Sequence, residues 1–177
     1  MTATLPEILR GEGLPCYEAI TPEAVRTHIP ALIAELEAEL TRLEAELQQN
    51  LDQGISPSWS ELMDPLQHLG ERLRWSWGVV SHLNGVCNSP ELREAHAAQQ
   101  AAVVQFGNRA GQSQVIYRAL EQLQAQRDQL DGTQQRILAA ELRDMQLRGV
   151  GLSGSEQEAF NAASQELAEL STRFGNQ

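Results

Sequence analysis

The stretch Ser81-His82-Leu83-Asn84-Gly85-Val86-Cys87-Asn88-Ser89-Pro90-Glu91-Leu92-Arg93-Glu94-Ala95 holds the end of one helix and the start of the next, and its reading decides the fold. The second half is a helix start. The Ser89 hydroxyl can accept from free backbone N–H groups, Pro90 has its φ already set for the first helical position, and Glu91 suits the positive helix end. The first half completes an apolar rhythm at Trp75, Val79, Leu83 and Val86, in steps of four, four and three, which predicts a helix running to Val86. Asn84, Gly85 and Asn88 tolerate left-handed backbone angles, so the connection reads as a turn of a few residues between antiparallel neighbours.

Working outward, Thr21-Pro22-Glu23 repeats the cap, proline and acid signature. Val25, Ile29, Leu32, Leu36, Leu40, Leu43, Leu47 and Leu51 then recur at three- and four-residue steps, the pattern of one long amphipathic helix, with a kink expected at Pro30. Glu35, Glu37, Glu39, Glu44 and Glu46 fall mainly off that stripe and read as a solvated acidic face. Gln53-Gly54-Ile55-Ser56-Pro57 breaks the pattern, and Ser58-Trp59-Ser60-Glu61 is a capping box opening the second long helix. Beyond the central turn, the Pro90 helix is expected to weaken near Gly107 and Gly111. Helices follow over Gln114 to Asp128 and Thr133 to Arg148. Ser153-Gly154-Ser155-Glu156 reads as a second capping box, for a last helix that runs to the carboxyl end. Residues 1–20, punctuated by Pro6, Gly11, Gly13 and Pro15, read as a short extended N-terminal arm lying across the helices, with at most one helical turn around Leu5 to Leu9. The predicted fold is all-α: a multi-helix array of about five to seven helices in antiparallel hairpins, with residues 21–177 as one helical domain.

Composition agrees and narrows the function. At 177 residues the chain can bury roughly two-thirds of its unfolded surface. Its aromatic share of 5% leaves little material for a β-sandwich core. Thirteen basic residues, all Arg and scattered, face 24 acidic ones for a net charge of −11, which repels phosphate backbones and anionic lipid. Nucleic acid and membrane are therefore excluded as partners. No apolar run approaches the roughly 20 residues of a membrane span, and no basic-then-apolar leader opens the chain, which gives a cytoplasmic expectation. In that compartment Cys16 and Cys87 stay reduced.

Candidate chemistry is sparse. A zincin helix needs His-Glu-x-x-His, but His28, His68, His82 and His96 are followed by Ile29, Leu69, Leu83 and Ala97. No Glu stands three residues before any of them, so a di-iron bundle is also excluded. Gly149-Val150-Gly151-Leu152-Ser153-Gly154 spells Gly-x-Gly-x-x-Gly, but it sits between two helices and not after a strand, so it reads as a helix end and a new start. Cys87 with His82 lacks an orienting acid and an oxyanion donor. His82 and Asn84 are expected to hydrogen-bond backbone at the turn, and Trp59, Trp75 and Trp77 to pack in the core. No catalytic, cofactor-binding or metal-ligating residue is assigned.

The Ser81–Ala95 run resembles the amino-terminal region of the oligopeptidase A branch of the thimet-oligopeptidase family of zinc metallopeptidases. Leu14-Pro15-Cys16-Tyr17-Glu18-Ala19-Ile20-Thr21-Pro22-Glu23-Ala24-Val25 is similar to the family's opening Pro-x-aromatic-x-x-Ile-x-Pro-Glu-x-Val. Gly149-Val150-Gly151-Leu152 and Glu166-Leu167-Ala168-Glu169-Leu170-Ser171-Thr172-Arg173-Phe174-Gly175-Asn176 are similar to its Gly-x-Gly-Leu and Leu-Ser-Glu-Leu-x-x-x-Phe-x-Asn segments. Val79, His96 and Ala101 depart from the Pro, Tyr and Pro common there. The resemblance implies a non-catalytic helical wall of a channel that admits short peptides, with zinc and its ligands in a catalytic region of the same polypeptide beyond Gln177. The alternatives are a free-standing helical interaction module, dimerising through the Val25 to Leu51 stripe, and a regulator derived by loss of the catalytic half.

Overall fold

A computed structural model describes Pro6, Gly11 and residues 13–175. A 3-10 turn at Tyr17–Ala19 precedes six α-helices: α1 (Pro22–Asp52), α2 (Trp59–Val86), α3 (Pro90–Gly111), α4 (Gln114–Ala125), α5 (Gly132–Leu147) and α6 (Gly154–Gly175). A second 3-10 turn, Arg127–Gln129, extends α4, and no strand occurs among the described residues. The all-α prediction holds.

The first helix is the post. Thr21 accepts from the Ala24 N–H at 3.2 Å to start it, and its stripe of Val25, Ile29, Leu32, Leu36, Leu40, Leu43 and Leu47 is buried against α2, α3 and α4. That burial removes the stripe from solvent within a single chain, so the dimer expected as an alternative has no such surface to use. Leu62, Met63, Leu69, Val80, Leu92, Phe106, Ile116, Leu120 and Leu123 fill the space around it. The three tryptophans are only half-buried, a correction to their core assignment, with Trp59 and Trp77 packed on the edge of the core.

The helix ends follow local chemistry. Ser58 and Glu61 form the expected capping box, the Ser58 N–H donating to the Glu61 carboxylate at 2.8 Å, and Asp131 with Gln134 forms another at the start of α5. At the carboxyl end of α1, Ile55 N–H bonds to the Asn50 carbonyl and Gly54 takes φ +70°. The end of α5 is built the same way: Gly149 N–H reaches Gln146, Val150 N–H reaches Met145, and Gly149 sits at φ +83°. Pro30 and Pro65 lie inside helices that continue past them, and α3 runs through Gly107 without a break.

Two sequence-based readings of the turns are corrected. Asn84 and Gly85 are helical, and no non-glycine residue among those described takes positive φ. The connection is Cys87-Asn88-Ser89. Its open carbonyl at Asn84 is satisfied by the Asn88 amide at 2.8 Å, which does the work a left-handed residue would otherwise do. The Ser153–Glu156 box does not form among the described residues: α6 starts at Gly154 with φ +53°. The helical turn expected at Leu5 to Leu9 lies outside the described residues. Of the described arm residues, Gly11 lies beside Arg72, the Tyr17 ring lies 5.9 Å from that of His82 and Ile20 is buried, while Leu14 stands out into solvent.

Since Leu36 is fully buried in the middle of the α1 stripe, Leu36→Ala should cost about 2–5 kcal/mol of unfolding free energy in a urea titration followed by circular dichroism. A loss within about 0.5 kcal/mol would show that α1 is not the packing centre.

Candidate functional site

The residue types that carry most chemistry are dispersed. His68 and His82 are exposed, His28 is half-buried, and no group of three or more His, Cys, Asp or Glu among the described residues could hold a metal ion. The described residues therefore offer no cluster that fits a zinc site. Cys16 and Cys87 are exposed free thiols. His82 faces Tyr17 and does not bond the turn backbone, while the buried Asn84 side-chain oxygen has no hydrogen-bond partner among the described residues; both expectations for the turn are corrected. The work assigned to that pair falls to neighbours. Ser89 accepts from the Leu92 N–H at 3.1 Å, Arg93 donates to the Asn88 side chain, and Arg26 of α1 reaches the Glu91 carbonyl at 3.4 Å.

His96 is the buried histidine. It stacks on Trp77 at 4.4 Å with an interplanar angle of 20°, and its Nε2 lies 3.2 Å from the Ser81 hydroxyl. Its Nδ1 is buried without a hydrogen-bond partner among the described residues, and burial lowers its pKa because the charged ring would lose hydration. This arrangement ties α3 to α2. It lacks the acid and the open substrate position of a general base.

The acidic face of α1 is in large part paired and not simply solvated, which corrects that expectation. Arg72, only 12% exposed, donates to Glu35 and Glu39, each at 2.7 Å. Arg109 of α3 forks onto Glu44, which also accepts from Ser113. The Arg109 guanidinium, with help from Ser113 and against the effect of burial, holds the Glu44 carboxyl below the usual glutamate range. These pairs set how α2, α3 and α4 lie along α1.

The last helix carries the least ordinary surface. No residue of α6 is buried, and its main neighbour is α3. The contact between them is made by carboxamides. Gln100 donates to the Ala168 carbonyl at 2.8 Å and to Thr172 at 2.6 Å, Gln112 donates to Asn161 at 2.8 Å, and Gln157 donates to Gln112 at 3.0 Å. Beside them runs a cleft of about 540 Å³ lined by Gln105, Asn108, Gln112, Gln157, Asn161 and Gln165 with Arg109 and Ala162. Meanwhile Leu167, Leu170 and Phe174, in steps of three and four, are 66%, 47% and 81% exposed. The half-buried side of α6 thus carries uncharged polar groups together with Phe160 and Ala168, while this apolar row stands exposed alongside the helix's charged residues.

The sequence model described as "Neurolysin/Thimet oligopeptidase, N-terminal domain" matches residues 29–157. The chain belongs to that family. It is 35% identical over 169 residues to a "Probable cytosolic oligopeptidase A" of Arabidopsis thaliana, covering 94% of this chain and 23% of that protein. An "Organellar oligopeptidase A, chloroplastic/mitochondrial" of the same plant is 34% identical, over 94% of this chain and 20% of that protein. "Oligopeptidase A" of Haemophilus influenzae is 31% identical, over 96% and 24%. The chain thus spans less than a quarter of the length of these relatives. Within the family match lie the post α1 from Ile29 onward, all of α2 to α5 and the start of α6. No described helix is long and apolar enough to cross a membrane.

Sequence reasoning missed the carboxamide stripes, although their spacing was visible: Gln105, Asn108 and Gln112 recur by three and four, Gln157, Asn161 and Gln165 by four. It also gave His96 no role.

Because burial lowers the His96 pKa, the folded chain resists a proton that the unfolded chain accepts near pH 6.5. Stability should therefore fall as pH drops from about 7.5 to about 5.5, before most carboxylates titrate. His96→Tyr should flatten that segment of the urea-midpoint profile. An unchanged slope in the variant would assign the effect elsewhere.

Proposed function

We propose that this chain is the non-catalytic amino-terminal helical domain of an oligopeptidase A-like zinc metallopeptidase. In this reading residues 1–20 form an arm and residues 21–177 the helical body, one wall of a channel that admits short peptides. The wall works by exclusion: a short unfolded peptide passes, a folded protein does not. Enclosure also strengthens the electrostatics at the scissile carbonyl by keeping bulk water out. Zinc and the catalytic residues belong to a region of the same polypeptide outside this sequence, and the chain alone neither binds catalytic zinc nor cleaves peptides. Its setting is the cytoplasm, as the name of one plant relative states for that protein.

The observation that carries this reading is the outward apolar stripe of α6, on a chain that covers under a quarter of each relative it matches. Leu167, Leu170 and Phe174 are 47–81% exposed among the described residues, and a row of large apolar side chains at helical spacing is the kind of surface that meets another protein surface. The catalytic region is the partner that this family supplies.

The test is reconstitution with the catalytic portion of an oligopeptidase A relative that lacks its own amino-terminal helices. The two pieces should form a one-to-one complex that cuts a short quenched peptide and spares a folded protein carrying the same sequence. Leu167→Asp combined with Phe174→Asp should weaken the complex at least about tenfold, the cost of burying uncompensated charge, while helicity and melting temperature stay unchanged. Chelator-sensitive cleavage by the purified chain alone would overturn the reading, as would failure of the wild-type pieces to associate.

A further inference from the structure

The cleft between α3 and α6 differs from the rest of this acidic molecule. Among its lining residues six are carboxamides, one is Arg109, and none is a carboxylate, although the chain carries 24 acidic residues. Its volume of about 540 Å³ falls within the usual range for small-ligand sites, roughly 300–1,000 Å³. Part of the lining is already fixed. Gln112 is held by the Arg148 carbonyl at 3.0 Å and by Asn161, and Gln157 is held by Gln112. Arg109 is committed to Glu44. By contrast the Gln105 and Asn108 carboxamides make no hydrogen bond with any described residue, and Asn161 uses only its oxygen. The cleft therefore has a rigid floor and a free rim of donors and acceptors.

A primary carboxamide carries an N–H donor beside a C=O acceptor, the same pair a peptide group offers, so one carboxamide can give and take with one backbone unit of a ligand. Such pairing ignores side-chain identity, and a lining without carboxylates favours no particular ligand charge. The residues from Gln105 to Gln112 span about 10 Å along α3, enough for about three residues of extended chain at about 3.3 Å each. We propose that the α3–α6 cleft binds the main chain of an extended peptide through its carboxamides, independent of the peptide's sequence. This rests on the peptide-handling reading given above and gives it a location. The cleft would hold a passing peptide extended without selecting it.

The probe is a blocked peptide of about eight alternating Ala and Ser residues, long enough to overrun the cleft at both ends, titrated into the 177-residue chain. The readout is the side-chain NH2 signals of assigned Gln and Asn residues in nitrogen–proton correlation spectra. The signals of Gln105, Asn108 and Asn161 should shift saturably. The same peptide N-methylated at alternate residues, which removes backbone donors, should bind at least about tenfold more weakly. Gln105→Ala combined with Asn108→Ala should weaken the unmodified peptide by about the same factor without moving the melting temperature, since neither side chain bonds within the fold. No saturable shift, equal binding of the methylated peptide, or undiminished binding by the double variant would each overturn the proposal. No catalytic portion is present in this titration, so its failure is separate from a failed reconstitution.

Discussion

The seven apolar side chains that α1 presents from Val25 to Leu47 are each 7% exposed or less, and three other helices lie along them. Everything else is arranged to keep that row dry. The helix can be long because Thr21 and Pro22 start it, its interior favours Leu, Ala and Glu, and Gly54 closes it with a left-handed residue where the chain must leave. Around this post, Arg72 and Arg109 tie α2 and α3 to acidic residues of α1 at its flanks. With Arg72 12% and Glu44 15% exposed these pairs are partly buried, and they fix the orientation of helices whose packing the apolar row drives.

Away from the post the physics changes. The first five helices share an apolar core, whereas α6 joins largely through hydrogen bonds donated by carboxamides. A hydrogen bond exchanged for one with water contributes only about 1 kcal/mol net, far less than a buried leucine. The molecule therefore has a firm centre and a lightly held edge. That edge carries the apolar row at Leu167, Leu170 and Phe174 and, on the other side of the same helix, the amide cleft. On the proposed reading, one side of α6 waits for the catalytic region and the other meets peptide.

Much of the fold was legible because helix chemistry is local. Ser89-Pro90-Glu91, Ser58 to Glu61 and the spacing from Val25 to Leu47 each state their structure within a few residues, and all appear as read. Errors arose where a residue type permits more than one solution. Asn84 and Gly85 tolerate left-handed angles but do not require them, and the Asn88 side chain closed the helix instead. Glu35, Glu39 and Glu44 look solvated along α1, and only the placement of α2 and α3 brings Arg72 and Arg109 to them. The inward polar side of α6 was hidden for the same reason: helical periodicity marks two faces but does not say which one meets the protein. The family resemblance, carried by short motifs at turns and helix starts, agrees with the family match.

The fold sets a deeply packed post against a helix with no buried residue. Native-state hydrogen exchange measures that contrast most directly, since amides report the free energy of the opening that exposes them. The central amides of α1, around Leu36 and Leu40, should exchange only through global unfolding. Those of α6 from Asn161 to Thr172 should exchange through a smaller opening with little dependence on denaturant. Equal protection along both helices would contradict the account, because α6 would then belong to the core and have no face in need of a partner.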